Sequence, residues 1–298
     1  MTSATSTNPL WRTWLFGPGA DPAAHTAMTS SGAHVLIQDL EDFTPPQRRA
    51  EARALAPALY AQWRAAGARV SVRINSLQTE GLVDLAAVMP AQPDIIAYPK
   101  AETAEDMQAL DAAITEHEQR LGWVVGRTGI LPVCETALGV VQVRVLASAS
   151  RRIRHALLGA EDLAADLLAE RSREALELQH ARQRFVLECR AARIEPIDAP
   201  YTFSDPEGAV AEAGYARRLG YRCKSLVWVD HAAALLAALV PLPDELAQAR
   251  LRVEAFEAAR AAGQERALVD GLWVEVPTYL NARRLLDQAL SETPPTTC

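Results

Sequence analysis

Charged side chains follow several short apolar runs of this sequence, each at the point where a run stops. Glu135 and Asp162 close two such runs and Arg73 closes a third. A fourth run ends at Asp39 and Glu41. Short apolar runs indicate buried strands, so we expect these charges to share one face of a sheet. Oxygen ligands from separate strands suit Mg²⁺, and an arginine beside them suits a carboxylate or enolate oxygen.

Each of these charges also has a purely structural interpretation. Asp39 and Asp42 could cap a helix or form a turn. Glu135 and Asp162 could pair with Arg73 in a buried ion pair. Buried ion pairs are costly to desolvate and stabilise poorly. A cluster of four or five charges therefore favours a functional interpretation.

Other reactive side chains near the same positions are less specific. Lys100 follows Tyr98 and Pro99, where a lysine could form a Schiff base or bind a phosphate or carboxylate. With metal ligands present, a Schiff base would be redundant. His34 and His155 lie at the opposite strand ends and are expected to be structural, and Cys134 is expected to lie in the core.

Composition narrows the class of protein. The chain has 298 residues, is 49% hydrophobic and 22% charged, and carries a net charge of −7, which argues against a nucleic-acid partner. The start MTSATSTNPLW lacks the features of a signal peptide. The longest apolar stretch, 232–243, is too short to span a bilayer. The four cysteines form no CxxC, which favours a reduced, cytoplasmic compartment.

The elements that must position these charges alternate between strand and helix. Candidate strands are 13–16, 34–38, 69–74, 94–98, 129–133, 155–159, 194–198 and 224–229. Residues recur with the spacing of a helix, which predicts helices over 47–66, 79–88, 103–121, 137–149, 174–192 and 206–219. This α/β pattern predicts a (β/α)8 TIM barrel, which typically needs roughly 250 residues. An open doubly wound sheet is the competing layout, but the sequence has no GxGxxG.

The chain continues after the eighth strand. We expect a helix over 244–262, an extended segment over 264–277 with a turn at Asp270-Gly271, and a last helix over 278–290. The predicted organisation is a flexible N-terminus, a TIM barrel, a C-terminal appendage that covers a neighbouring subunit, and a disordered tail. Their respective ranges are 1–11, 12–240, 241–290 and 291–298.

A barrel enzyme carries its site at the carboxyl ends of its strands. The polar residues expected at those ends are Gly17-Pro18-Gly19, Asp39-Glu41-Asp42, Arg73-Asn75, Lys100-Glu102, Glu135-Thr136, Glu161-Asp162, Asp198 and His231. The amino ends hold His34, Arg69, Asp94, Arg127, His155 and Lys224. Several acids with an arginine directly after apolar residues occur only in the first set.

Several segments of the sequence resemble those of a known family. The segments RTWLFGPGADP (12–22), VLIQDLED (35–42), VRIN (72–75), YPKAETAEDM (98–107), ETALGV (135–140), LLGAEDLAADL (157–167) and DG followed by VEVP (270–277) resemble the citrate lyase beta-subunit-like proteins of the HpcH/HpaI aldolase superfamily. The resemblance runs from about Arg12 to Leu290. It implies a TIM barrel, Mg²⁺, and cleavage or formation of a carbon–carbon bond beside a thioester or a 2-oxo acid.

The resemblance also implies roles for individual residues. Glu135 and Asp162 are the implied metal ligands, and Arg73 is the group that would stabilise an enolate. The expected catalytic residues are Arg73, Glu275, Asp39 and Glu41, the last two orienting the arginine and metal-bound water. The expected substrate-binding residues are Arg73, Lys100, Glu135, Gly159, Ala160, Glu161 and Asp162.

Two segments depart from the family pattern. Glu275 stands where an aspartate that serves a neighbouring subunit as acid/base is usual. After strand eight, the usual histidine, proline and glutamine are replaced by Trp228, Val229 and His231. These changes alter the mouth of the site and bear on its substrate.

The leading hypothesis is an Mg²⁺-dependent lyase that cleaves a 3-hydroxy dicarboxylic acyl-CoA of the citryl, malyl or citramalyl type through a metal-stabilised enolate. The alternatives are an aldolase acting on a free 2-oxo acid such as pyruvate and a non-catalytic lyase-like subunit. The expected partners are a small-molecule substrate and further copies of the chain, as a trimer, without nucleic acid or membrane.

Overall fold

The computed structural model describes residues 10–292 and divides into two compact units. One spans Trp11–Leu239, and the other contains Leu10 and the segment from Val240 onward. Of the predicted flexible N-terminus (1–11) and disordered tail (291–298), residues 1–9 and 293–298 lie outside the described residues, whereas residues 291–292 belong to the last helix and not to a tail. The proposed covering of a neighbouring subunit by 241–290 stays a prediction.

The larger unit is a closed barrel of eight parallel strands in sequential order, which confirms the predicted TIM barrel. The strands are β1 (Thr13–Pro18), β2 (Val35–Asp39), β3 (Arg69–Arg73), β4 (Ile95–Tyr98), β5 (Gly129–Cys134), β6 (His155–Leu158), β7 (Glu195–Tyr201) and β8 (Cys223–Leu226). The barrel closes because β1 pairs with both β2 and β8. In register, Asp39 lies beside Arg73. The ends of β2 and β3 therefore lie at the same height in the barrel.

Helices follow the strands and pack outside the barrel. They are α1 (Pro22–Thr29), α2 (Arg49–Ala65), α3 (Gly81–Val88), α4 (Ala104–Arg120), α5 (Ala137–Val141), α6 (Val143–Ala149), α7 (Glu161–Asp166), α8 (Gln179–Ala192), α9 (Pro206–Leu219) and α10 (Ala232–Leu239). Their apolar stripes bury Trp63, Leu110 and Phe185, among others, against the strands. Apolar burial of this kind is the main stabilising term of the fold.

Short polar caps start several helices directly after the strands. Thr103 accepts a hydrogen bond from the amide of Asp106 to start α4, and Thr136 accepts one from Gly139 to start α5. Asp205 caps α9, which ends at Gly220 with a φ of 105° that suits glycine. These caps keep the loops at the carboxyl ends of the strands short, so residues that follow a strand stay at the barrel mouth.

The helices differ from the prediction in number and extent; for example, the helix predicted over 174–192 begins at Gln179. Helices α1, α7 and α10 were not predicted; each has eight residues or fewer, which is too short to show a clear period. The helix predicted over 137–149 is two helices, α5 and α6, that meet at Gln142.

The smaller unit contains two long helices and a hairpin: α11 (Pro243–Ala261), β9 (Ala267–Val269), β10 (Leu272–Val274) and α12 (Val276–Glu292). Strands β9 and β10 are antiparallel, and positive φ values at Asp270 and Gly271 confirm the predicted turn. Helix α12 begins at Val276, two residues earlier than predicted. Phe256 stacks on Tyr279 with ring centroids 4.7 Å apart and joins α11 to α12.

One segment of the described chain passes a membrane-span test on length and composition. It covers Val229–Ala261 and has a mean hydropathy of 1.2 in its most apolar window, of which 28% is buried. The apolar stretch 232–243, expected to be too short to span a bilayer, lies inside this longer segment. In the structure, the segment is divided between α10 and α11 by a non-helical stretch at 240–242. Core helices of soluble proteins pass the same test, so the finding is weak evidence for a membrane.

Candidate active site

A pocket opens at the carboxyl ends of the barrel strands. Its wall contains Arg73 from β3, Glu135 directly after β5, and the stretch 159–162 directly after β6. Because the strands are parallel and in register, residues far apart in sequence meet there. The structure therefore brings together the charges at the ends of four strands, as their positions in the sequence predict.

Arg73 is a fixed cation of this pocket. Its guanidinium forms an ion pair with Asp39, lies 3.0 Å from Glu41 Oε2 and lies 3.9 Å from Glu135 Oε2. Burial disfavours the charged guanidinium, but the charges of Asp39, Glu135 and Glu41 outweigh it and raise the pKa of Arg73. Asp39 also accepts a hydrogen bond from the Glu41 amide at 2.8 Å, which holds its carboxylate in place.

Two aromatic rings complete the surroundings of Arg73. Its guanidinium carbon lies 5.3 Å from the ring centre of Phe16 and 5.6 Å from that of Phe43. Both distances are within the range of cation–π attraction. The arginine is therefore held by carboxylates and by ring faces, which leaves it little freedom to rotate.

Glu135 is held from two sides. The amide of Lys100 donates to Glu135 Oε1 at 3.0 Å. Gly159 packs so closely that a Cβ there would lie 3.0 Å from Glu135 Oε2 and closer still to Glu135 Cβ. Burial, together with the nearby charges of Asp162 and Glu41, outweighs the opposing effect of Arg73 and Lys100 and raises the pKa of Glu135 to about 7.

The ammonium of Lys100 lies among four carboxylates. It is 3.1 Å from Glu41 Oε1, 3.6 Å from Asp42 Oδ2, 3.6 Å from Asp162 Oδ1 and 4.0 Å from Glu135 Oε1. These charges outweigh the effect of burial and raise the pKa of Lys100. Burial raises the pKa of Glu41, although Arg73 and Lys100 oppose that shift.

The chemistry of this donor set fits a divalent cation. Glu135 and Asp162 reach the same positive charge from two strand ends, and both offer the oxygen ligands that Mg²⁺ prefers. Among residues 10–292, no three His, Cys, Asp or Glu side chains converge as a ready-made metal cluster. Glu135 and Asp162 are therefore the two carboxylates that could hold a metal here.

Glu161 and its neighbours form one rim of the pocket. Gly159, Ala160 and Glu161 line the wall. The Glu161 carboxylate accepts a hydrogen bond from Thr202 at 2.6 Å and pairs with Arg171 at 3.1 Å. Its charge is therefore paired with Thr202 and Arg171 at the rim.

Asp198 and His231, which the sequence places at the mouth, do not reach it. Asp198 is fully buried against Arg182 and Lys224, with Asp198 Oδ2 2.6 Å from the lysine nitrogen. Strand β7 continues to Tyr201, past the predicted end at residue 198, so Asp198 lies inside the strand and not at its end. His231 is buried and its Nε2 lies 3.1 Å from the Ser204 carbonyl, outside the pocket lining.

Several lining residues escaped the sequence argument because they are apolar or uncharged. They are Phe16, Phe43, Val133, Leu157, Pro200, Thr202 and Val227. Their position directly at strand ends was the available signal. Asn75, which the sequence places at the mouth, instead donates to the Leu40 carbonyl and to Asp84.

Glu275 lies in the smaller unit, between β10 and α12. Its side chain is 57% exposed and lies 3.6 Å from Arg266. It is therefore open to solvent in a single copy of the chain, and its expected role as an acid/base stays a prediction.

Comparison with known proteins matches residues 12–228 to the family described as HpcH/HpaI aldolase/citrate lyase. The citrate lyase subunit beta of Haemophilus influenzae is 33% identical over 289 residues, which cover 95% of this chain and 98% of that protein. An L-malyl-CoA/beta-methylmalyl-CoA lyase of Cereibacter sphaeroides is 32% identical over 93% of this chain and 94% of its own. The solved structure of CitE from Mycobacterium tuberculosis in complex with magnesium and acetoacetate is 25% identical, with a TM-score of 0.64 over 77% of this chain and 90% of its own.

Proposed function

The chain belongs to the HpcH/HpaI aldolase/citrate lyase family and is a carbon–carbon lyase, and from that premise we propose that it cleaves a 3-hydroxy dicarboxylic acyl-CoA of the malyl, citramalyl or citryl type. The observation that carries this proposal is the convergence of Glu135, Asp162 and Arg73 in one pocket. Two oxygen ligands beside a fixed arginine suit a reaction in which negative charge develops on an oxygen.

Glu135 and Asp162 are the residues that would hold magnesium. The relative crystallised with magnesium and acetoacetate supports magnesium as the metal. When bound, the metal would supply Lewis-acid polarisation of an oxygen of the substrate. The amide of Lys100 and the close packing of Gly159 would keep the Glu135 carboxylate in position for this task.

Arg73 would stabilise the enolate of the acyl-thioester product. Cleavage transfers the proton of the 3-hydroxyl group to a base, Glu275 of a neighbouring subunit or a water, and breaks the bond between C2 and C3. A 2-oxo acid leaves, and the electron pair remains on the thioester as an enolate. Asp39 and Glu41 keep the guanidinium oriented, so little reorganisation is needed as the charge develops.

The size of the pocket limits how much of a CoA thioester it can hold. It encloses about 90 Å³, well below the ~300–1,000 Å³ of sites that enclose drug-sized ligands. The short acid portion of the substrate would therefore lie inside, while the CoA arm would lie beyond the mouth.

The second candidate is an aldolase that uses a free 2-oxo acid. Trp228 favours it, because the indole N–H donates to the Thr202 carbonyl at 2.9 Å and the ring remains 44% exposed beside the pocket. A bulky ring at this rim narrows the space that a pantetheine arm requires. Binding of CoA, measured by calorimetry, separates the two candidates.

Three further features belong to the proposal. The enzyme acts as a homotrimer in which Glu275 of one subunit returns the proton to the enolate in a neighbouring site. Its substrate is a small molecule, without nucleic acid or membrane partners. It works in the cytoplasm, as its reduced cysteines suggest, since Cys134, Cys189 and Cys223 are free and buried.

The decisive test offers malyl-, citramalyl- and citryl-CoA, with and without Mg²⁺, and detects glyoxylate, pyruvate or oxaloacetate. We expect Mg²⁺-dependent release of one of these acids, and Glu135→Gln should abolish it. Glu51→Gln is the matched control, because Glu51 is an exposed residue of α2 paired only with Arg48. Full activity after chelation would contradict the metal assignment, and release from free acids but not from thioesters would favour the aldolase.

A further inference from the structure

Lysine is almost absent from this chain. Of 30 basic residues, 28 are arginine, and the two lysines are Lys100 and Lys224. Lys224 is fully buried, with its nitrogen 2.6 Å from Asp198 and 2.7 Å from Glu212. Lys100 is 45% exposed and lies at the candidate active site. The site thus contains the chain's one lysine that solvent reaches.

The two cations of the site differ in mobility. Arg73 is 6% exposed and is fixed by Asp39 and Glu41. The backbone of Lys100 is anchored by its amide to Glu135 and has a φ of 45°, an uncommon left-handed conformation for a residue with a side chain. Its four-carbon side chain is a flexible stem that ends in a compact charge. The ammonium of Lys100 is therefore the cation that can move without disturbing the barrel.

The ammonium occupies the space where a metal would bind. It lies 3.6 Å from Asp162 Oδ1 and 4.0 Å from Glu135 Oε1. A metal ion bound to both carboxylates at ~2.0–2.1 Å would stand within a few ångströms of the ammonium. At such a separation the repulsion between the two cations is substantial. This repulsion favours movement of the ammonium away from a bound metal.

We propose that Lys100 is the resident counter-ion of the acidic cluster, and that a divalent cation binds to Glu135 and Asp162 by displacing its ammonium toward the rim. Asp42 provides a place for the displaced charge, because it is 53% exposed and already lies 3.6 Å from the lysine nitrogen. Lys100 would then neutralise part of the negative charge of the cluster before the metal binds. Afterwards its ammonium would lie at the mouth of the pocket. This inference rests on the proposed metal site.

The first test measures Mg²⁺ and Mn²⁺ binding by calorimetry to the wild type and to Lys100→Met, which has similar length and no charge. Removing a unit charge about 4 Å away should tighten binding at least about fivefold. Lys100→Arg keeps the charge and should bind metal about as weakly as the wild type. Arg69→Met is the control for net charge, because Arg69 is 52% exposed at the start of β3 and pairs with Asp94.

The second test uses the wild-type protein and does not depend on the folding of a variant. An amine-acylating reagent followed by peptide mapping reports the reactivity of Lys100, separately from Lys224 and the chain's amino terminus. Displacement from the carboxylates should make the lysine more reactive, so its labelling rate should rise severalfold when Mg²⁺ is added. Glu135→Gln should remove this dependence on Mg²⁺.

The outcomes separate this inference from the metal site itself. If the wild type binds metal, but Lys100→Met binds it no more tightly and Mg²⁺ does not increase labelling, Lys100 is not displaced and the inference is overturned. If the wild type binds no metal, the proposed metal site fails first and the inference fails with it. Tighter binding by Lys100→Met together with Mg²⁺-dependent labelling supports the inference.

Discussion

Replacing Gly159 with alanine tests the position of Glu135. Gly159 directly follows β6, and its amide donates to the Cys134 carbonyl at 3.0 Å. An added Cβ would lie 3.0 Å from Glu135 Oε2 and closer than that to Glu135 Cβ. Gly159 is not among the glycines with positive φ, so the alanine meets a steric conflict with Glu135 and no backbone strain.

The magnitude follows from the rigidity of the surroundings. Gly159 and Glu135 directly follow the neighbouring strands β6 and β5. The Cβ of Glu135 cannot rotate away as the end of a flexible side chain can. Overpacking of this kind costs about 1–3 kcal/mol of unfolding free energy. A displacement of the carboxylate by about 1 Å would reduce catalysis by ~10²-fold.

The assay combines three measurements on Gly159→Ala: urea unfolding, Mg²⁺ binding by calorimetry, and Mg²⁺-dependent release of a 2-oxo acid. Gly214→Ala is the matched control. Gly214 lies inside α9, and its added Cβ would meet only Arg218 Nη1, at an ordinary 3.8 Å. We expect this control to gain about 0.5–1 kcal/mol of stability, because alanine favours the helix.

One result would refute the reasoning about Glu135. If Gly159→Ala unfolds at the wild-type urea concentration, binds Mg²⁺ equally well and retains full turnover, then Glu135 does not occupy the position described. Loss of stability with normal metal binding would instead show that the carboxylate is not a ligand.

Three other predictions concern the arginine, the oligomer and pH. Arg73→Lys keeps the charge but loses the planar fork, so kcat should fall by ~10²-fold; a rise in KM alone would count against the role in the transition state. Mixing Glu275→Gln with Arg73→Ala subunits should restore partial activity, whereas a stable, fully active monomer in light scattering would exclude the shared site. Burial between Trp11 and Trp14 lowers the pKa of His155 to about 4. The unfolded histidine binds a proton at pH ~6.5, so this residue's contribution to stability is complete above that pH and declines as pH falls toward 4. Between pH 7 and pH 5 the wild type should lose about 1–2 kcal/mol more unfolding free energy than His155→Phe, as measured by urea unfolding. If both proteins lose the same amount, the buried histidine is not the cause of the decline.

The hydrophobic pattern was sufficient to predict the barrel. Each of the eight strands is a short run buried on both faces, and such a run has few alternatives to a parallel sheet covered by helices. The position of a charge directly after a run also predicted that Arg73, Glu135 and Asp162 would line the same pocket. Both inferences depend only on the order of residues along the chain, because parallel strands place all their carboxyl ends at the same end of the barrel.

Tertiary packing decided what local order could not. Asp198 lies away from the mouth because β7 continues past it to Tyr201, and the residue types of this stretch do not show where the strand ends. The role of Lys100 stayed open in the sequence, whereas in the structure it meets carboxylates that follow three other strands. The close packing of Gly159 against Glu135 is visible only in the structure. The sequence records which side chains stand at strand ends, but distances of a few ångströms between those ends depend on how the closed barrel brings them together.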